Sequence, residues 1–80
     1  MTRDDTRPRL NVVYRFADVD YKFGLGTLIC RVIRVIEKVT FDNEPWWHIE
    51  AFCRRVVTDP GAERRVYVRA SAVKKSQVQR

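Results

Sequence analysis

The residues of this sequence that could do chemistry concentrate between positions 45 and 55, in the run P-W-W-H-I-E-A-F-C-R-R. Aromatic side chains stack on bases, and arginine guanidinium groups pair with phosphates and carboxylates. Here aromatic and basic groups are interleaved, with Trp46 and Phe52 alternating with His48 and Arg54. This combination is typical of sheet surfaces that bind single-stranded nucleic acid.

The elements that position these residues follow from strand geometry, because the run is predicted to be a central β-strand whose successive side chains face opposite ways. One face is apolar throughout and is expected to be core: Trp47, Ile49, Ala51 and Cys53. The other face mixes aromatic and charged groups and is expected to be exposed: Trp46, His48, Glu50, Phe52 and Arg54. Trp46 is therefore the predicted contact residue, and Trp47 the predicted core residue.

Neighbouring strands are expected to extend this candidate contact surface with Arg31 or Arg34 on one side and with Arg65 or Tyr67 on the other, and both Arg65 and Tyr67 are counted as candidate contact residues. Its partner is expected to be nucleic acid or an acidic protein surface. Exposed aromatic patches also mark protein interfaces, so a protein contact or homo-oligomer is the alternative. Another possibility is that Phe52 packs beneath a neighbouring hairpin.

No residue of the chain has the partners that catalysis needs. His48 is the single histidine, and no nucleophile, acid or metal ligand can be placed beside it. Cys30 and Cys53 have no CxxC spacing and apolar neighbours, so we expect two buried, inert thiols. The sequence thus predicts a non-enzymatic binding module with no catalytic residue, no cofactor and no metal.

Length and charge set the class of protein. Eighty residues allow one domain with a thin core. Sixteen Lys and Arg, twelve of them Arg, against ten Asp and Glu give a net charge of +6, which favours anionic partners. The N-terminus has no signal-peptide core, and no apolar run approaches a membrane span, so we expect a cytoplasmic protein with no membrane contact.

The chain is predicted to have three parts, namely a flexible basic arm at 1–9, an all-β barrel at 10–75 and a polar tail at 76–80. Within the barrel, β-branched and aromatic runs predict strands at 10–16, 27–41, 46–57 and 64–69. Turn residues separate them at 42–45 and 58–62, and 70–72 is expected to form a short helical turn. The order predicts an antiparallel meander.

The long strand at 27–41 alternates imperfectly. Its first apolar residues share one face, and the later ones fall on the other: Leu28, Cys30 and Val32, then Ile33, Val35, Val39 and Phe41. A β-bulge near Val32 and Ile33 would switch the inward face and help to close a barrel. A helix over 28–39 is the competing prediction, which the Val and Ile content disfavours.

Three segments, in order, resemble the SH3 family: V-V-Y-R-F at 12–16, the pair Trp46 and Trp47, and Y-V-R-A-S-A-V-K-K at 67–75. The resemblance implies a small barrel of about five strands, with Tyr14 and Trp46 facing the ligand. Arg69 and Ala72 stand where that family has the proline and tyrosine of its peptide groove, which places Arg69 on the candidate contact surface. The link from Gly26 to Trp46 is long for the family, which implies a protruding hairpin.

A second resemblance is to the small plasmid-type dihydrofolate reductases, which are SH3-like chains that form tetramers around one pore. F-G-L-G at 23–26 and V-Y-V-R-A-S-A-V at 66–73 are similar to segments of that family. The family's pore-lining V-Q-I-Y is replaced by V-Y-V-R at 66–69. An oligomeric reductase is therefore the third functional alternative.

Overall fold

The computed structural model describes residues 6–24, 26–55 and 60–78 of the chain. Four antiparallel strands form one sheet in chain order: β1 (Val13–Phe16), β2 (Leu28–Phe41), β3 (Glu44–Arg55) and β4 (Ala62–Arg69). A 3-10 helix (Asp18–Asp20) follows β1, and a short helix, α1 (Ala70–Ser76), follows β4. The sheet curls into a half-barrel, so the all-β prediction is confirmed.

The core lies on the inner face of the curled sheet. The four β3 residues predicted to be core are all buried there, namely Trp47, Ile49, Ala51 and Cys53. They pack against apolar residues of the other strands and of α1: Tyr14, Phe16, Leu28, Cys30, Val32, Val68, Ala70, Ala72 and Val73. Strand alternation therefore identified the core face of β3 correctly.

Strand β2 contains the predicted switch of face and a second one. The register against β3 shifts between Val32 and Arg34, as expected, and shifts again between Val35 and Glu37. The second shift reverses the first, so Val39 lies opposite Trp46 on the outer face, and Phe41 shares that face. Of the later apolar residues predicted to face inward, only Val35 packs against the core. The helix alternative is excluded because the whole segment is strand.

A two-residue turn joins β2 to β3. Asp42 and Asn43 both have positive φ, 52° and 62°, and Phe41 pairs with Glu44 across them. Asn and Asp tolerate this left-handed conformation better than other non-glycine residues, and such turns match the twist of a hairpin. The predicted turn is thus confirmed, but Glu44 and Pro45 already belong to β3. Residues 56–59, which include the first two residues of the other predicted turn at 58–62, lie outside the described part.

The helical turn predicted at 70–72 is the start of α1, which continues to Ser76. A fifth strand is not present in the described residues, since only Gln77 and Val78 follow α1, and Gln77 forms a single bridge with Tyr14. The backbone N–H of Val78 donates to the carbonyl of Val13 at 3.0 Å. Residues 77 and 78 thus cover the β1 edge of the half-barrel without adding a regular strand.

Residues 6–9 of the predicted arm lie against the half-barrel. The indole Nε1 of Trp47 donates to Thr6 Oγ1 at 3.2 Å, Pro8 is buried, and the backbone N–H of Arg9 donates to the Tyr14 hydroxyl at 2.9 Å. Residues 76–78 of the predicted tail are likewise part of the fold. Residues 1–5 and 79–80 lie outside the described part. No helix among the described residues is long and apolar enough to span a membrane.

Candidate binding surface

The register of β3 and β4 brings most of the predicted contact residues to one face. Seven of the eight lie on the outer face of the sheet: Trp46, His48, Phe52, Arg54, Arg65, Tyr67 and Arg69. Trp46 lies opposite Arg69, and His48 opposite Tyr67. The structure divides these residues between a covered end and an open end of the face.

Tyr14 is the exception, because it lies on the inner face of β1. Its side chain is 2% exposed, its ring stacks on Phe16 with centroids 5.7 Å apart, and its hydroxyl accepts the Arg9 hydrogen bond. Tyr14 therefore belongs to the core rather than to the outer contact surface. The SH3 resemblance implies that Tyr14 faces the ligand. In the structure β1 spans only Val13–Phe16, shorter than the predicted strand at 10–16, and the Tyr14 side chain on it is buried.

Trp46 lies on the outer face as predicted, but the prediction that it is exposed is wrong, since only 5% of its surface is accessible. Lys22 Nζ lies 4.6 Å and Arg69 Cζ 4.7 Å from its ring centroid. The segment that carries Lys22 runs back along β4: its backbone N–H donates to the Tyr67 carbonyl at 3.0 Å, and Tyr21 bridges Val68. This long-range contact covers the ring, and strand alternation does not report it.

The covered end is an aromatic cluster, formed by Phe41, Trp46, His48 and Tyr67. Tyr67 packs edge-on against Phe41 at 5.3 Å and stacks on His48 at 4.2 Å. Lys22 Nζ lies 4.5 Å from the Phe41 ring as well as over Trp46, so one ammonium covers two ring faces. The sequence pattern does not identify Lys22, and it predicts that Phe41 faces inward. The second register shift of β2, which turns Phe41 outward, has no clear signal in the sequence.

Arg69 holds the covered end together. Its guanidinium contacts the carboxylates of Asp20, at 3.5 Å, and Glu44, and donates to the Val19 carbonyl at 3.0 Å. Asp20 is buried, so Arg69 is the cation that compensates its buried carboxylate. The arginine that the sequence placed on the contact surface is therefore engaged within the protein.

The open end is a patch we call the arginine face, formed by Arg31, Arg34, Phe52, Arg54 and Arg65. Phe52 lies at the centre of the arginine face and is 45% exposed. Glu50 contacts both Arg34, at 3.5 Å, and Arg65, at 3.7 Å. Glu50 thus pairs with two arginines, and Glu63 lies opposite Phe52. These two carboxylates do not balance the four arginines, so the patch keeps a net positive charge.

The first register shift of β2 builds this patch. Arg31 and Arg34 are three residues apart, so a regular strand would point them to opposite faces. The irregularity between Val32 and Arg34 places Arg31 opposite Phe52 and Arg34 opposite Glu50, both on the outer face. The sequence offered the two arginines as alternatives, and the structure brings both together.

Gly61 supports the ring of Phe52 from the start of β4. It has a φ of +94°, and a Cβ there would lie 2.6 Å from the Phe52 Cε1 atom. Glycine allows both this backbone conformation and this close approach. The Phe52 ring therefore lies against backbone on one side and faces solvent on the other.

His48 packs within the sheet, as the stacking on Tyr67 shows. Its Nδ1 atom is buried and has no hydrogen-bond partner in the described part of the chain. Among those residues, no group of three or more His, Cys, Asp or Glu side chains could hold a metal ion.

Cys30 and Cys53 lie opposite each other on β2 and β3, completely buried as predicted. Their Sγ atoms are 3.1 Å apart, within hydrogen-bonding distance of each other. This hydrogen bond, together with desolvation and repulsion between the two sulfurs, raises the pKa of Cys30 far above its ordinary value. The Cys30 thiol therefore stays protonated in the folded protein.

The raised pKa of Cys30 predicts a loss of stability at alkaline pH. In the unfolded chain this thiol ionises above about pH 8.5, whereas in the folded protein it does not. Unfolding then releases a proton, so the free energy of unfolding should fall by about 1.4 kcal/mol per pH unit above that value. Denaturant unfolding in reducing buffer at about pH 7.5 and 9.5 measures this fall. In Cys30→Ala the fall should be smaller; an equal fall would contradict the assignment.

Fold and surface together define a small, basic, all-β protein, a half-barrel with an arginine-rich outer face. Its architecture is compatible with an SH3-like barrel. Comparison with protein-family models, with curated proteins and with solved structures gives no match to this chain in any of the three.

Proposed function

We propose that this protein is a non-enzymatic binding module, an SH3-like barrel with a protruding β2–β3 hairpin, that binds single-stranded nucleic acid through the arginine face. The observation that carries the proposal is the half-exposed Phe52 ring, with Arg31 opposite it on β2 and Arg54 two residues further along β3 on the same face. Such a ring is available to stack on a base, while the cations around it contact the flanking phosphates.

The open end of the sheet suits a single strand better than a duplex. Bases of a duplex are stacked on each other, so Phe52 would have no free base face to contact, whereas an unpaired base lies directly on it. The aromatic cluster does not take this role, because Lys22 and Arg69 already cover Trp46. The net charge of +6 supports the same class of partner.

Fluorescence anisotropy with labelled oligo-dT of about 12 nucleotides, at low and at moderate salt, tests the proposal. Phe52→Ala should weaken binding about 5- to 100-fold, because one stacking contact is worth about 1–3 kcal/mol. Arg31→Ala and Arg54→Ala should each lower the slope of log K against log salt by about 0.7.

Lys75→Ala is the control, since Lys75 is an exposed cation of α1, away from this face. It should leave the affinity within about twofold, as for a remote charge. The absence of binding at low salt, or an equal loss in the Phe52 and Lys75 variants, would refute the proposal.

A further inference from the structure

A groove of about 910 Å³ lies between the N-terminal segment, strand β2 and helix α1. Phe52 does not line it, and Arg34 is the one residue that it shares with the arginine face. Four cations line it: Arg7, Arg9, Arg34 and Lys74. Its remaining described lining is neutral, with no carboxylate. Arg34 contacts Glu50, which lies outside the groove, so the unbalanced charge of the lining is that of Arg7, Arg9 and Lys74. A volume of this size accommodates several residues of an extended chain.

The groove also exposes apolar surface. Leu10 is 58% and Ile33 40% exposed, although both are large apolar side chains. Val73 of α1 continues the apolar lining. Apolar side chains bordered by cations are typical of a surface that recognises an amphipathic chain rather than a free inorganic anion.

The groove runs beside an edge of the sheet. Strand β1 pairs with β2 only as far as Arg31, and Val32 then exchanges backbone hydrogen bonds with Asn11 and Val12. Beyond Val32, in the described part of the chain, the only strand that pairs with β2 is β3. An edge of this kind can accept a further strand from a partner.

We infer that this groove binds an extended acidic segment of a partner protein, which adds as a strand to the β2 edge beyond Val32. Carboxylates of the segment pair with Arg9 and Lys74, and alternate apolar side chains pack on Leu10 and Ile33. Because successive side chains of a strand face opposite ways, a sequence that alternates acidic and apolar residues meets both requirements at once.

Two other occupants, a second copy of this chain and nucleic acid, fit this edge less well than an acidic segment does. Two copies of this chain pairing through β2 would bring Arg34 and Lys74 of one copy near the same cations of the other, and like charges in close proximity oppose association. Nucleic acid offers anions, but it has no peptide groups to pair with the strand edge and no aliphatic side chains for Leu10 and Ile33. An acidic segment satisfies the cations, the edge and the apolar surface together.

The probe for this inference is a labelled peptide of about seven residues in which glutamate alternates with valine or isoleucine, measured by anisotropy. Arg9→Ala and Lys74→Ala should each weaken its binding by about 3- to 10-fold, as expected for partly exposed charge pairs. Lys75→Ala is the matched control, because it removes an adjacent exposed cation of α1 that does not line the groove. Equal losses for Lys74 and Lys75 would overturn the inference.

Two further measurements sharpen the result. The double reversal R9E/K74E should abolish binding of the glutamate peptide and create binding of a lysine counterpart, provided that circular dichroism shows an unchanged fold. Methylating alternate backbone nitrogens of the peptide should weaken binding about tenfold if it forms a strand; no effect would overturn the strand-addition geometry.

Oligo-dT distinguishes this site from the arginine face. Phe52→Ala should weaken oligo-dT and leave the peptide unaffected, while Lys74→Ala should do the reverse. If oligo-dT instead depends on Arg9 and Lys74 and displaces the peptide, the groove is a nucleic-acid site and the inference is wrong. A failure of oligo-dT to bind anywhere would leave the peptide result valid, because the two probes are independent.

Discussion

Replacing Trp47 with alanine is expected to lower the free energy of unfolding by about 3–5 kcal/mol. The side chain is buried in the inner face, and its Nε1 donates to Thr6 Oγ1 at 3.2 Å. Arg7 and Lys38 lie over its ring at 5.4 and 5.3 Å, so the same substitution should loosen the N-terminal segment. Denaturant unfolding with a constant m-value measures the loss.

Trp46 is the matched comparison, since it is the adjacent tryptophan on the opposite face. Strand alternation alone predicts almost no loss of stability for Trp46→Ala, whereas its burial under Lys22 and Arg69 predicts about 2–4 kcal/mol. The smaller value reflects a cover made of flexible side chains, which can collapse onto the space left behind. A loss below about 0.5 kcal/mol, as for surface substitutions, would contradict the covered position.

Arg69→Ala is expected to cost about 2–3 kcal/mol, because it leaves the buried Asp20 carboxylate without its cation and uncovers Trp46. The value lies below the range for fully buried pairs because the Arg69 side chain is 29% exposed. Unfolding of Arg69→Ala, Asp20→Ala and the double variant forms a cycle, and a coupling energy above about 0.5 kcal/mol is expected.

Arg65→Ala provides the control for that cycle. Arg65 also pairs with a carboxylate, Glu50, but its side chain is 63% exposed, so its removal should cost less than about 0.5 kcal/mol. If the Arg65 and Arg69 variants lose equal stability, Arg69 does not hold the covered end together as argued.

Much of the fold was predictable because it depends on local chemistry. Alternation in β3 separated Trp47 from Trp46, and the Val and Ile content of residues 28–39 favoured strand over helix. Asp42 and Asn43 identified the hairpin turn. Each of these features is encoded by residues that are neighbours in the chain, which is why the sequence could report them.

The candidate site was predictable only in part. The sequence placed Phe52, Arg54 and Arg65 on one face, and the structure agrees. The groove beside β2 gave no sequence signal, because its cations come from three separate segments, represented by Arg9, Arg34 and Lys74. No pattern along the chain relates residues that meet only through folding.

By itself, then, the sequence determined which side chains of each strand share a face, since that depends on the two-residue period of the backbone. Only the tertiary structure decided which end of the outer face is open. In the folded protein Lys22 covers Trp46, whereas Phe52 stays accessible. The reason is that the segment after β1 folds back along β4 near Trp46 and not near Phe52. Exposure depends on such long-range contacts, which the period of a strand does not record.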